Sequence, residues 1–165
     1  MPDLLVNLHS QKFAALASRP PVEGVAIRPA LAPEMALVVD WVRAHFSDNW
    51  ASEVTVAFSR RPVACLVAVS EGRLLGFACY DIVARGFFGP TGVHPDARGR
   101  GVGVALLAGA LSALKADGYA YAVIGDAGPV DFYAGTVGAM PIPAEDKGVY
   151  EGMLRRPKPD SSREE

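Results

Sequence analysis

The sequence predicts a single α/β (α+β) domain, and three observations support this fold class. The 165 residues are about the length of one domain. Half of them are apolar and 21% are charged, which is typical of a folded protein and excludes a wholly disordered chain or a fibrous repeat. Segments with strand patterns alternate with segments of helical periodicity, so the domain is expected to contain helices as well as a sheet.

Charge, cysteine content and hydropathy limit the functional classes to which this protein can belong. Sixteen basic and eighteen acidic residues give a formal charge of -2, so no bulk positive field attracts nucleic acid or an anionic membrane. Cys65 and Cys79 lie in apolar alternating runs, and two cysteines make neither a disulfide framework nor a zinc site. No secretion signal and no apolar run of about 18 residues is visible. We therefore expect a cytoplasmic protein without a membrane or nucleic-acid partner.

Helical spacing and capping residues define the first half of the chain. Pro33 in a first turn and Glu34 at the positive end of the helix dipole mark the start of one helix. Ser47 and its neighbours end that helix and cap the next one. The elements predicted in this half are a strand at 4–8, a helix around 14–17, a strand at 25–28, and helices at 32–46 and 50–58.

Strand patterns dominate the middle of the chain, and a long apolar helix follows them. Residues 62–69 and 74–83 are rich in β-formers and flank a short glycine-containing loop, which predicts an antiparallel hairpin. The elements predicted after the hairpin are a strand at 87–93, a helix at 101–116, a strand at 119–124, a short helix at 129–137 and a last strand at 150–154. We expect the domain to span 1–156 and residues 157–165 to form a flexible tail, because the tail has almost nothing apolar to bury.

The most informative segment is the polar, glycine-rich loop between the strand at 87–93 and the long helix. Gly99, Gly101 and Gly103 stand at every second position, so the backbone can approach a ligand closely. The first N–H groups of the helix lack internal partners, and the helix dipole adds partial positive charge there. A phosphate or pyrophosphate group fits this junction, although such glycines also occur in loops that only make a tight turn.

The order of residues in this loop excludes two common nucleotide motifs. Gly103 is followed by Val104, where a P-loop needs Lys and then Ser or Thr. The third glycine of the dinucleotide fingerprint is also absent, whether counting starts at Gly99 or at Gly101. What remains is an Arg-x-x-Gly-x-Gly pattern that begins at Arg98.

In this pattern, the chain resembles the GCN5-related N-acetyltransferase (GNAT) superfamily, whose acetyl-CoA motif has the same form after a strand ending in Val-x-Pro. Val93-His94-Pro95 provides that ending. The similarity extends to the strand at 119–124, to Phe132-Tyr133 on a short helix, and to Gly138. Ala139 departs from the phenylalanine common there, which concerns packing more than chemistry.

The resemblance implies a fold and a cosubstrate. It implies a mixed, mostly antiparallel sheet with helices on both faces, a splay between the strands at 87–93 and 119–124, and acetyl-CoA as cosubstrate. No metal is expected, because the three histidines lie far apart in sequence and two cysteines do not make a zinc site. Backbone amides of the loop hold the pyrophosphate in this family, and the preceding strand pairs with pantetheine. The positions that match are Thr91, Gly92, Val93, Arg98, Gly99, Arg100, Gly101, Val102, Gly103 and Val104. Independently, Pro90 cannot donate a ladder hydrogen bond, so this strand is expected to bulge or to border an opening.

The resemblance also implies an activity, the direct transfer of an acetyl group to a primary amine. Tyr133 then matches the general acid that protonates the departing thiolate; a purely structural packing role is the alternative. An ammonium near pKa 10.4 must lose a proton before it attacks, so the reaction needs a base. The candidates for this base are Asp126, Asp81 and Glu53. Trp41, Phe46 and Trp50 shape an acceptor pocket or belong to the core.

Other functions remain open at this point. The same fold serves as a non-catalytic acyl-CoA-binding regulatory module, or as a scaffold whose exposed strand pairs with a partner. The expected acceptor is a small molecule or a peptide amine, and a homodimer is compatible with the sequence.

Overall fold

The computed structural model describes residues 1–144 and 148–157. They form seven strands and five α-helices: β1 (Leu4–Asn7), α1 (Gln11–Ala17), β2 (Ala26–Pro29), α2 (Met35–His45), α3 (Asp48–Phe58), β3 (Cys65–Ser70), β4 (Arg73–Tyr80), β5 (Phe87–Val93), α4 (Val102–Ala116), β6 (Tyr121–Ile124), α5 (Val130–Val137) and β7 (Met140–Pro141). One sheet contains all of these strands in the order β2-β3-β4-β5-β6-β1-β7. Among the described strands only β5 and β6 pair in parallel, which confirms a mixed, mostly antiparallel sheet.

Local sequence signals explain where the helices begin and what they bury. The Ser47 side chain accepts a hydrogen bond from the Trp50 N–H at 3.1 Å, so the predicted cap of α3 is confirmed. Ser10 caps α1 in the same way. The apolar residues of α4 recur at helical spacing and are fully buried against the sheet; they include Leu106, Leu107, Leu111 and Leu114.

Helices cover both faces of the sheet, as the sequence predicted. A Cβ on Gly92 would lie 2.3 Å from the ring of Phe46, at the end of α2. The next side chain along β5, Val93, instead meets Gly103 of α4. Because successive strand residues point to opposite faces, α2 and α3 lie on one face and α4 on the other.

The sheet opens between β5 and β6. These strands pair only at Phe87 with Val123 and at Phe88 with Ile124, so residues 89–93 have no strand partner on the β6 side. On the other side β5 stays paired with β4, with an irregularity in register next to Pro90. The splay expected from the resemblance is therefore present, and the irregular pairing expected at Pro90 accompanies it.

The strand predicted at 150–154 is wrong. Gly148–Tyr150 forms a 3-10 turn, and β1 occupies the position between β6 and β7. β1 pairs with β6 over four residues, from Leu4 with Ile124 to Asn7 with Tyr121, and pairs with β7 on its other edge. Both edges of this position are thus occupied by described strands. The short β7 was not predicted.

Smaller differences concern the ends of elements. The hairpin strands are shorter than predicted and end at Tyr80, because Asp81 adopts a left-handed φ of 61°. The strand predicted from residue 119 begins at Tyr121. The tail from residue 158 onward lies outside the described residues. Within residues 1–144 and 148–157, no helix combines the length and the hydropathy needed to cross a membrane.

Gly92→Ala is expected to destabilise the fold. The new methyl group would overlap the Phe46 ring, which packs against Trp50 and Phe77 and has little room to move. Overpacking of this kind costs about 1–3 kcal/mol, which urea unfolding measures directly. Gly135→Ala in α5 is the control, because nothing lies within 4 Å of its Cβ position. Equal unfolding midpoints for the two variants would contradict this account of the packing.

Candidate active site

A cavity of about 1220 Å³ lies where β5 and β6 separate. Its lining includes residues 89–93 of β5, residues 124–127 at the end of β6, and side chains of α3 and α5. The ring of Phe88 packs edge-on against Tyr133 of α5, with 6.3 Å between the ring centroids. The ring of Phe87 lies instead against Gly125. The lining includes Trp50 and Glu53 of α3 as well as Gly103 and Leu107 of α4, so the cavity extends to both faces of the sheet.

The glycine-rich loop presents free backbone donors. Gly99 and Gly101 have φ values of 74° and 81°, a left-handed conformation that favours glycine. None of the N–H groups from Gly99 to Val104 donates a hydrogen bond to a described residue. The first internal bond of α4 runs from Ala105 N to Gly101 O. This end of a 15-residue helix is therefore able to bind an anion.

The residues of the glycine-rich loop differ in how close they lie to the cavity. Arg98 donates from Nε to the Val93 carbonyl at 3.1 Å, which ties the loop to β5, and its side chain also lines the cavity. A smaller adjoining cavity of about 240 Å³ is bordered by Gly99, Gly101, Val102, Gly103 and Val104. The Arg100 side chain is exposed and borders neither cavity.

The edge of β5 that was predicted to receive pantetheine faces the opening. Thr91, Gly92 and Val93 all line the large cavity, and their ladder bonds go only to β4. The Thr91 hydroxyl donates to the Phe77 carbonyl at 3.0 Å, which fixes this side chain on the paired side. Their remaining backbone groups are available to an extended ligand.

Tyr133 lies in the first turns of α5 and is 6% exposed. Its hydroxyl has no hydrogen-bond partner among the described residues, and the side chain lines the cavity. Burial raises the pKa of this phenol to about 12. At neutral pH Tyr133 is therefore a protonated donor within reach of a ligand in the opening.

The carboxylate of Asp81, one of the candidate bases, is bonded to other residues of the fold. Its carboxylate contacts Arg60 at 2.8 Å, the Gly86 N–H at 2.7 Å and the Tyr119 hydroxyl at 2.9 Å. The residue is not part of the cavity lining. These contacts fix the turn after β4, which indicates a structural role for Asp81.

Asp126 borders the cavity, but its side chain is 57% exposed. The carboxylate lies 3.0 Å from the Met1 nitrogen, and its own N–H donates to Asp3 at 2.8 Å. Asp126 is thus at the rim of the site, in an ion pair and largely in water.

Glu53 lines the cavity from α3, whereas the rim carboxylates Asp3 and Asp126 line it from the N-terminal segment and the end of β6. It lies on α3 with Asn49 and Trp50, and has neither an ion pair nor a hydrogen bond to a described residue. Burial raises the pKa of the Glu53 carboxyl above its ordinary 4.5. In the sequence, Glu53 was one of three candidates, and only the packing of α3 against the opening distinguishes it.

Tyr150 is a site residue that sequence reasoning missed, because it was assigned to a strand. Its side chain lines the cavity. Burial, with added effects of the Glu53, Asp3 and Asp126 charges, raises its pKa to about 12. Of the three aromatic residues proposed for a pocket, Trp50 lines the cavity, whereas Trp41 and Phe46 pack around Phe77.

Sequence comparison gives a family for this arrangement. The model of the Acetyltransferase (GNAT) family matches residues 32–139, more than half of the chain, and the match includes the loop, the opening and Tyr133. The chain belongs to the GNAT family. The members of this family are acetyltransferases. No curated protein sequence matches the chain.

Solved structures with the GNAT fold are similar to this one. A GCN5-related glucosamine N-acetyltransferase region of a fungal multi-domain β-N-acetylglucosaminidase aligns with a TM-score of 0.65 and 18% identity. A GCN5-related N-acetyltransferase from Sphaerobacter thermophilus aligns with a TM-score of 0.62 and 19% identity. Each alignment covers 86% of this chain, but only 19% and 48% of the respective neighbours.

A GNAT acetyltransferase from Brucella melitensis has been solved in complex with acetyl-CoA. It aligns with a TM-score of 0.46 and 24% identity, over 57% of this chain and 70% of its own. In residues 1–144 and 148–157 of the present GNAT protein, no three His, Cys, Asp or Glu side chains are grouped so that they could hold a metal ion.

Glu53→Gln is expected to make the protein more stable at pH 7. The folded state binds the Glu53 proton more tightly than the unfolded chain, so wild-type stability falls as the pH rises above about 4.5 and through the raised pKa. The neutral amide removes this loss, and the two proteins should converge near pH 4. Urea unfolding at both pH values measures the difference, with exposed Glu23→Gln as the control. A less stable Glu53→Gln variant at pH 7 would mean that the carboxylate has a favourable partner.

Proposed function

We propose that the protein is an N-acetyltransferase that moves the acetyl group of acetyl-CoA directly to a primary amine. One observation carries this proposal: unpaired N–H groups at the start of α4 adjoin a through-sheet cavity that also contains the unpartnered hydroxyl of Tyr133. Membership of the GNAT family supports it independently.

The two faces of the cavity suggest separate positions for the two substrates. The donors from Gly99 to Val104 suit the pyrophosphate of acetyl-CoA, and the free edge at 91–93 suits its pantetheine arm. The thioester then lies in the opening of the sheet, where backbone N–H groups can polarise its carbonyl. The amine enters from the α3 side, where Trp50 and Glu53 line the cavity.

Tyr133 is proposed to assist the departure of the CoA thiolate. With a pKa of about 12, the phenol is a weaker acid than an alkyl thiol near 8.5, so full proton transfer is uphill by about 5 kcal/mol. A hydrogen bond to the developing thiolate avoids this cost and is strong in a site from which water is excluded. We therefore propose hydrogen-bond stabilisation of the leaving group, with the proton arriving from solvent later.

Glu53 is proposed to accept the proton of the attacking amine, directly or through one water. An ammonium near pKa 10.4 costs about 4.6 kcal/mol to deprotonate at pH 7. A carboxylate whose pKa is raised by burial is a better base than one in water. Asp126 is solvated and ion-paired, so it is the weaker candidate.

Acetyl-CoA is expected to bind in calorimetry, and Gly103→Val should weaken that binding by at least about tenfold. Gly103 lines both cavities, and its Cβ position has only Val93 nearby, at 3.5 Å. The larger side chain can thus be accommodated by the fold but occupies the space of the ligand. Gly135→Val, outside both cavities, is the control. Absence of binding to the wild-type protein would refute the proposed function.

Tyr133→Phe should lower kcat by about 10- to 100-fold while leaving acetyl-CoA affinity within about twofold. The variant keeps the ring and loses only the unpartnered hydroxyl. Thiol release can be followed with glucosamine, a lysine-containing peptide and a diamine as acceptors. Tyr121→Phe, on the exposed end of β6, is the matched control. A wild-type protein that binds acetyl-CoA but acetylates none of a broad amine panel would favour a regulatory acyl-CoA-binding module.

A further inference from the structure

The α3 side of the cavity is covered by residues 148–157, which we call the strap. Gly148, Tyr150, Met153 and Arg155 of the strap line the cavity. At its far end Arg156 reaches Asp48, in the first turn of α3, at 3.3 Å. The strap therefore crosses from the β7 side of the sheet to α3, over the face at which the amine is proposed to enter.

The contacts that hold the strap are few and exposed. Its backbone hydrogen bonds to described residues are local, from Glu151 N to Gly148 O and from Met153 N to Tyr150 O. The side chains of the Arg156–Asp48 ion pair are 88% and 56% exposed, and such pairs contribute little to stability. A segment with so few contacts can open locally while the rest of the domain stays folded.

Tyr150 is the strap residue that reaches the opening of the sheet. A Cβ on Gly125, the residue that follows β6, would lie 3.3 Å from the Tyr150 hydroxyl and 3.1 Å from the Phe87 ring. A larger residue at this position would press against both aromatic side chains. The Tyr150 hydroxyl has no hydrogen-bond partner among the described residues. Burial, and to a smaller extent the nearby Glu53, Asp3 and Asp126 charges, raises its pKa to about 12, so the hydroxyl is protonated at neutral pH.

We infer that Tyr150 is a specificity-determining residue that limits which nucleophiles reach the thioester from the α3 side. Its hydroxyl and the Phe87 ring both approach Gly125, just after β6, so the side chain narrows the passage between β5 and β6 for water and for bulky amines. Its hydroxyl can bond the nitrogen of an amine that does enter. This inference rests on the proposed function, because it assumes a thioester in the opening.

The test uses acetyl-CoA alone as the probe, with water as the nucleophile. Tyr150→Ala should raise the rate of CoA release without an amine by about fivefold, because a cover that excludes water is removed. Tyr150→Phe keeps the ring, so its rate of CoA release should stay well below that of Tyr150→Ala. Arg156→Ala should give an intermediate increase by freeing the strap, and Val149→Ala, which is half exposed on the same turn, should give none. Calorimetry should show acetyl-CoA affinity within about twofold for all four variants.

Two amines of different size test whether Tyr150 controls the selectivity for the acceptor. The ratio of kcat/KM for tryptamine to that for ethanolamine should rise in Tyr150→Ala and stay unchanged in Val149→Ala. The inference is overturned if the wild-type protein binds acetyl-CoA but neither Tyr150→Ala nor Arg156→Ala changes hydrolysis. A wild-type protein that does not bind acetyl-CoA refutes the proposed function instead, so the two failures are distinguishable.

Discussion

The early separation of β5 and β6 is the constraint on which the rest of the site depends. Two paired positions hold these strands together, and beyond them a free backbone edge faces an open volume. A sheet normally satisfies its interior edges, because a buried unpaired amide is costly. Here the sequence prevents pairing locally with Gly89, Pro90 and Gly92. The opening connects the helix face that carries anion-binding donors with the face that carries a carboxylate.

The polar groups around this opening lower the stability of the fold but supply a base and a hydrogen-bond donor. Glu53 and Tyr133 both line the cavity, and both are without hydrogen-bond partners among the described residues; Tyr133 is buried and Glu53 is half-buried. Burial disfavours the charged form of each, so the carboxyl becomes a better base and the phenol remains a donor. Asp81 shows the opposite arrangement, since every strong contact available to it is made within the fold. The candidate site residues thus differ from the structural ones in having polar atoms without hydrogen-bond partners, more than in residue type.

Most of the fold could be predicted from the sequence, and the reasons are local. Cap residues, helical spacing and β-rich runs are short-range signals, and the elements from α2 to α5 follow them. The loop that begins at Arg98 was recognisable because its spacing reflects a backbone requirement. The choice among Glu53, Asp81 and Asp126 was not predictable, because it depends on what surrounds each carboxylate after packing. Tyr150 was missed because its run of residues was assigned to a strand whose place β1 already occupies.

The position of β1 links the two ends of the described chain. Leu4 pairs with Ile124, a sequence separation of 120 residues, and the other edge of β1 meets β7. Contacts between such distant residues are slow to form, since a large loop must close first. The β1 lead-in and the β7 side both border the cavity, through Asp3 and Ile142. Completion of the ligand-binding volume therefore depends on strand pairing between residues at opposite ends of the described polypeptide.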